Sequence, residues 1–100
     1  MYKPLPDSLT IKSSNISGLG LFAAQYIEKA TNLGTSHLKT EDTLVRTPLG
    51  GFINHSNTPN CVKVELLLTD GSHRKKWNLM TIQDIKEGEE LTLEYTFYKV

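Results

Sequence analysis

Residues 51–61, GFINHSNTPNC, constrain this chain more than any other stretch. Asn54, His55, Ser56, Asn57, Thr58 and Asn60 bring six hydrogen-bonding side chains into one short span. Asn, Ser and Thr compete for the backbone's own hydrogen bonds, so the stretch makes a poor helix and a poor strand. Pro59 closes it, and the apolar Phe52 and Ile53 flank it. Such a segment keeps one conformation only as a loop that other elements organise, and loops held by a rigid scaffold are where function concentrates.

The rest of the chain must supply that scaffold from 100 residues, enough for one core. Residues 1–8 read as a flexible or extended lead-in, because Pro4 and Pro6 withhold ladder donors, and 9–100 as a single compact domain. Hydrophobic content of 38% with 22% charged residues argues for a folded protein. Eleven basic residues balance eleven acidic ones, so the basic footprint of a nucleic-acid binder is missing. The cluster His73-Arg74-Lys75-Lys76 reads as a solvated hairpin tip. Cys61 is the sole cysteine, which excludes an internal disulfide; with His37, His55 and His73 scattered, no structural zinc site can be assembled. MYKPLPDS is not a signal peptide, and no apolar run approaches the ~20 residues of a membrane span. The expectation is an intracellular protein, cytoplasmic or in a host cell if the source is viral, with no membrane partner. The sequons at Asn15 and Asn54 are then coincidental.

Taken in order, Leu9–Ser13 alternates as a short strand, Asn15–Gly20 is turn-rich, and Leu21–Ala24 reads as a second strand. Thr31 to about Ser36 suits a third. The polar stretch Lys39–Leu49 has room for one helical turn at 41–45, with Thr40 as its N-cap. Val62, Val64, Leu66 and Leu68 form one apolar face of a strand, Asp70-Gly71 is a hairpin turn, and the return strand runs from Lys75 to Ile82. Asp84–Glu90 is a charged turn in which the adjacent Glu89 and Glu90 read as solvated. Leu91–Phe97 has strand propensity at nearly every position. The fold class is mainly β, built of many short strands.

Three separated segments fall into one pattern. SGLGLFA at 17–23, FINHSNTPNC at 52–61 and GEELTLEY at 88–95 resemble, in order and spacing, the GxG, NHSxxPN and GEELTxxY motifs of SET domains, the protein-lysine methyltransferase fold. The first is weak alone; the second followed by the third is strong. The resemblance covers about Ile11 to Tyr95 and implies a β-clip of small curved sheets with a C-terminal pseudoknot, the last strand threading under the 51–61 loop. It implies S-adenosylmethionine as cofactor and a protein substrate presenting a lysine. Gly18, Leu19 and Gly20 would let the backbone approach the cofactor closely. Asn54 would hydrogen-bond the cofactor's amino-acid end, and the backbone at His55 its adenine. The bland alternative is that Asn54 and His55 only stitch the loop together. Ser56, Pro59 and Asn60 read as loop-shaping residues. Tyr95 is the catalytic candidate, acting by orientation and electrostatics because a phenol of pKa about 10 is a poor base.

The sequence also departs from the family pattern. Only about Lys39 to Leu49 stands where most SET domains insert a helical subdomain, and five residues follow Tyr95, so a cysteine-rich closing segment is not expected. Phe97 and Tyr98, or a partner chain, would then wall the lysine channel, and a homodimer completed across a two-fold axis enters the reading. Leu93 stands where many relatives carry Phe or Tyr, and His37 lies near where many carry a further tyrosine. The brevity resembles SET proteins of viral or bacterial type. A non-catalytic SET-like binding module is the alternative function.

Overall fold

Short strands, most of them paired antiparallel, build the frame of the fold. The computed structural model describes residues 5–40, 43–67 and 75–94. β1 (Leu9–Ser13) and β2 (Leu19–Ala23) form a hairpin with Leu9 opposite Ala23 and Ser13 opposite Leu19. A four-stranded antiparallel sheet contains β3 (Asn32–Lys39), β4 (Leu44–Arg46), β6 (Cys61–Leu67) and β7 (Lys75–Thr81) in the order β4-β3-β7-β6. A third sheet is a parallel pair, β5 (Asn54–His55) with β8 (Thr92–Leu93). The helix α1 (Pro48–Phe52) leads into β5. This is the mainly β architecture of small sheets expected from the sequence.

The sheets close on one core, where Leu21, Ile53, Leu79, Ile85, Leu91 and Cys61 are essentially inaccessible to solvent. Backbone bonds tie the C-terminal segment along β2: Ala23 N to Glu89 O (2.9 Å), Gly88 N to Ala23 O (2.8 Å) and Leu91 N to Leu21 O (2.8 Å). Of the supposed lead-in, residues 5–8 are anchored. Leu5 packs on the core, and the Ser8 carbonyl accepts from Ala24 N at 2.7 Å.

Three expectations need correction. No helical turn capped by Thr40 forms over 43–45; Leu44–Arg46 is instead an edge strand on β3, which gives its backbone ladder partners. The helix comes later, at Pro48, because proline at the first helical position loses no bond. The third strand runs on through His37 to Lys39. On β6 the period of two is right but the inward face is the other one. Cys61 is buried, whereas Val62 and Leu66 are exposed, because Cys61 and Lys63 lie opposite the buried Thr81 and Leu79 of β7. Leu68, Asp70-Gly71 and His73-Arg74 lie outside the described residues. Lys75 makes an exposed ion pair with Glu65 at 3.2 Å, of little energetic weight.

One contact sets how α1 lies on the sheet and so where the NHS loop begins. Ser36 Oγ donates to Trp77 O (3.1 Å), leaving its lone pairs toward His37 Nδ1 at 3.0 Å, so Nδ1 carries the hydrogen of a neutral ring. Gly50 rests directly on this pair. A Cβ there would collide with the Ser36 carbonyl oxygen and lie 2.7 Å from His37 Cε1. His37 is 3% exposed; burial, with smaller contributions from the Lys63 and Arg46 charges, lowers its pKa from 6.5 to about 4. The neutral ring is therefore favoured by folding, and its contribution to stability is complete above about pH 6.5 and lost as pH falls toward 4. An NMR titration of the imidazole should give a midpoint near 4; a midpoint near 6.5 would show that the ring is not desolvated.

Candidate functional site

The loop after α1 is organised by side chains. β5 pairs with β8 so that Asn54 faces Thr92 and His55 faces Leu93, and Ser56 N donates to Leu93 O at 3.1 Å. Ser56 Oγ accepts from Thr58 N (3.0 Å), turning the chain back. His55 Nε2 lies 3.2 Å from Asn57 Oδ1. Asn60, 6% exposed, then reaches across to the last strand. Its Nδ2 donates to Glu90 O (2.9 Å), and its Oδ1 accepts from Thr92 N (2.8 Å). The loop-shaping role expected of Ser56 and Asn60 is what these bonds do.

The first motif arrives from the other side. The β1–β2 loop is closed by Ser14 N to Gly18 O at 2.8 Å, with Gly18 at φ +43°. Leu19 stands 51% exposed. Asn54 Nδ2 meets this loop, 3.1 Å from Ser17 O and 3.2 Å from Leu19 O, and also lies 2.8 Å from Glu90 Oε2. Ser14 Oγ lies 2.7 and 2.8 Å from the two oxygens of the same carboxylate. Gly20 makes room for the cluster: a Cβ there would collide with Glu90 Oε2 and sit 3.0 Å from Asn54 Nδ2.

Asn54 and the Gly18–Gly20 loop, singled out from sequence, are thus in contact, and His55 lies beside them on β5. Asn54 does stitch the loop, and among the described residues it does so with its nitrogen alone. All three atoms around Nδ2 are acceptors, so the carboxamide must present its N–H groups there and turn Oδ1 away. Tyr95 lies outside the described residues, as do Phe97 and Tyr98. His37 does not join the cluster; it is buried beneath α1.

Glu90 and Ser14 are the residues that sequence reasoning missed. Glu89 and Glu90 both read as solvated, yet successive residues of an extended chain point to opposite faces. Glu89 faces the turn and accepts from Lys86 N (2.8 Å), whereas Glu90, opposite Phe22 in a β-bridge, faces the loops. That alternation was the available signal. Cys61 is excluded as a nucleophile, because burial pushes its thiol up to about 12. Among the described residues no group of three or more His, Cys, Asp or Glu could hold a metal ion, and no helix is long and apolar enough to cross a membrane.

The SET domain family model matches residues 35–96, which include the second and third motifs. An H3 lysine-4 specific histone-lysine N-methyltransferase of Aspergillus oryzae is 39% identical over 79 residues, 73% of this chain and 6% of that protein. Histone-lysine N-methyltransferase 2D of Homo sapiens is 30% identical over 121 aligned positions, covering 91% of this chain and 2% of the relative. The alignment is longer than this 100-residue chain, so the human protein carries extra residues within the matched span. The chain spans 6% or less of the length of these relatives. Both are eukaryotic and lend the expected viral or bacterial likeness no support. Among solved structures, a Plasmodium falciparum histone-methyltransferase candidate superposes with a TM-score of 0.73 at 18% identity, covering 94% of this chain and 99% of the other. The ctPRC2 structure bound to S-adenosylmethionine gives 0.71 at 20%, covering 89% and 15%. At these identities the likeness speaks for the fold.

Asn60 offers a direct test of how the loop is held. Asn60→Ala leaves the Glu90 carbonyl and the Thr92 amide without their side-chain partners, and each unmet buried group costs about 1–3 kcal/mol. Urea unfolding should show a loss of about 2–4 kcal/mol; a loss below about 0.5 kcal/mol would mean that the loop is held by other contacts.

Proposed function

The chain belongs to the SET-domain family, and on that footing we propose that it binds S-adenosylmethionine and transfers a methyl group to a lysine side chain of a protein substrate. The observation that carries this reading is the meeting of the three motifs at one carboxamide, Asn54, which bonds the Ser17 and Leu19 carbonyls and Glu90 together. Its carbonyl oxygen, turned away from those partners, is an acceptor suited to the ammonium of the cofactor's amino-acid end. The half-buried carboxylate behind it suits a positively charged ligand. The donor set therefore fits this cofactor.

When bound, S-adenosylmethionine supplies an electrophilic methyl group on a sulfonium. The chain's own task is alignment and exclusion of water, since displacement at that methyl group requires the amine in line. The backbone of Gly18–Gly20 and His55 would contact the cofactor, and Tyr95 would hold the incoming amine through its hydroxyl. The amine must be neutral, and an apolar channel lowers a lysine pKa from about 10.4. The threading of residues 91–97 beneath the 51–61 loop belongs to the same proposal, supported by the grip of Asn60 on residues 90 and 92. So does the assignment of 9–100 as one domain. The A. oryzae relative's name gives histone H3 lysine 4 as its target, so a histone tail is the first substrate to try. A homodimer would complete the groove if the monomer lacks a wall for the channel.

Calorimetry with millimolar S-adenosylmethionine should detect binding, weakened at least tenfold by Asn54→Ala. Tyr95→Phe should retain that affinity while lowering methyl transfer to a histone peptide about a hundredfold. Absence of binding by the unmodified protein would sink the reading. Binding with no transfer to any protein substrate would favour the non-catalytic module.

A further inference from the structure

We propose that Glu90 is a positioning residue for the cofactor. Its carboxylate locks the Asn54 carboxamide with the carbonyl oxygen outward and supplies the negative charge that the ligand's ammonium completes. This rests on the S-adenosylmethionine reading of the site.

The geometry leaves the carboxylate little freedom. Oε2 accepts from Asn54 Nδ2 at 2.8 Å, the shortest of the three contacts that nitrogen makes, and a bond to a charged acceptor is the stronger kind. Ser14 Oγ bridges both carboxylate oxygens at 2.7 and 2.8 Å and itself accepts from Ile16 N at 2.9 Å, so the hydroxyl is oriented too. Gly20 has no side chain where the carboxylate lies. Two neutral donors thus hold a half-buried carboxylate, and no cation is paired with it among the described residues. A partly buried charge without a counter-charge is costly. A cation at the far side of Asn54 relieves that cost. The same carboxylate, by accepting from Nδ2, pushes electron density through the amide toward Oδ1 and makes it a better acceptor.

Glu90→Gln separates charge from shape. Glutamine is nearly isosteric, and its carbonyl can accept from Asn54 while its amide meets Ser14, so the fold is retained. The two probes are S-adenosylhomocysteine, which carries the ammonium, and 5′-methylthioadenosine, which keeps nucleoside and sulfur but lacks the amino-acid end. Glu90→Gln should weaken the first about tenfold by calorimetry and the second less than twofold, with the melting temperature within a few degrees of the unmodified protein. Ser14→Ala, which frees the carboxylate without removing its charge, should weaken S-adenosylhomocysteine a few-fold and leave 5′-methylthioadenosine unchanged. A merely structural Glu90 would lower both affinities together, and that result overturns the proposal. Unchanged affinity for S-adenosylhomocysteine in Glu90→Gln overturns it as well. If the unmodified protein binds neither ligand, the cofactor reading itself falls.

Discussion

A parallel pair of strands two residues long cannot hold itself together. β5 and β8 contribute few ladder bonds, and parallel pairs are slightly less stable per residue than antiparallel ones. What holds them is Asn60, whose side chain imitates a strand by donating to one backbone group and accepting from another two residues along. A carboxamide is suited to this because it carries the same donor and acceptor as a peptide. Aspartate could not donate and leucine could do neither. The position of β8 beside β5, and with it that of Glu90, leans on that buried side chain together with the backbone bonds of Ser56 to Leu93 and of Leu91 to Leu21.

The hairpin β1–β2 and the long pair β6–β7 were legible because alternation over five to seven residues is a local property. The loop at 51–61 was legible as a loop because its residues oppose both regular structures. What failed was whatever depends on a neighbour. Val62 and Leu66 have the pattern of an inward face, yet β6 is an edge strand and its buried side is chosen by Leu79 and Thr81 of β7. Leu44–Arg46 has no strong signal of its own and becomes a strand because β3 offers an open edge. Glu90 was misread for the same reason. A carboxylate in a charged run looks solvated until the strand opposite it shows which way it faces.

In Asn54 the stitching role leaves room for the binding role proposed for it. A carboxamide has two chemically distinct ends, and here the nitrogen is spent on the loop and the carboxylate while the oxygen meets no donor among the described residues. The same division explains why three stretches far apart in sequence occur together. Gly20 is needed because Glu90 and Asn54 occupy its side-chain space, and each of those is oriented by the other. The site is one interlocked unit, so a substitution at any of the three is felt at the other two.

That interlocking also sets an order of events along the chain. Ser14 and Glu90 are separated by 76 positions, and Asn54 and Glu90 by 36, so loop-closure entropy opposes both contacts until other structure brings the ends together. The hairpin β1–β2 and the pair β6–β7 can form earlier, since they are closed from Ser13 to Leu19 and from Leu67 to Lys75. During synthesis the chain emerges from its N-terminus, so the GxG and NHS loops exist for some seconds with no carboxylate to orient them. The cluster around Asn54 is therefore completed late, when the segment from Gly88 to Leu93 docks along β2 and against Asn60. A chain stopped before Gly88 would hold its short-span strand pairs and lack the carboxylate of Glu90.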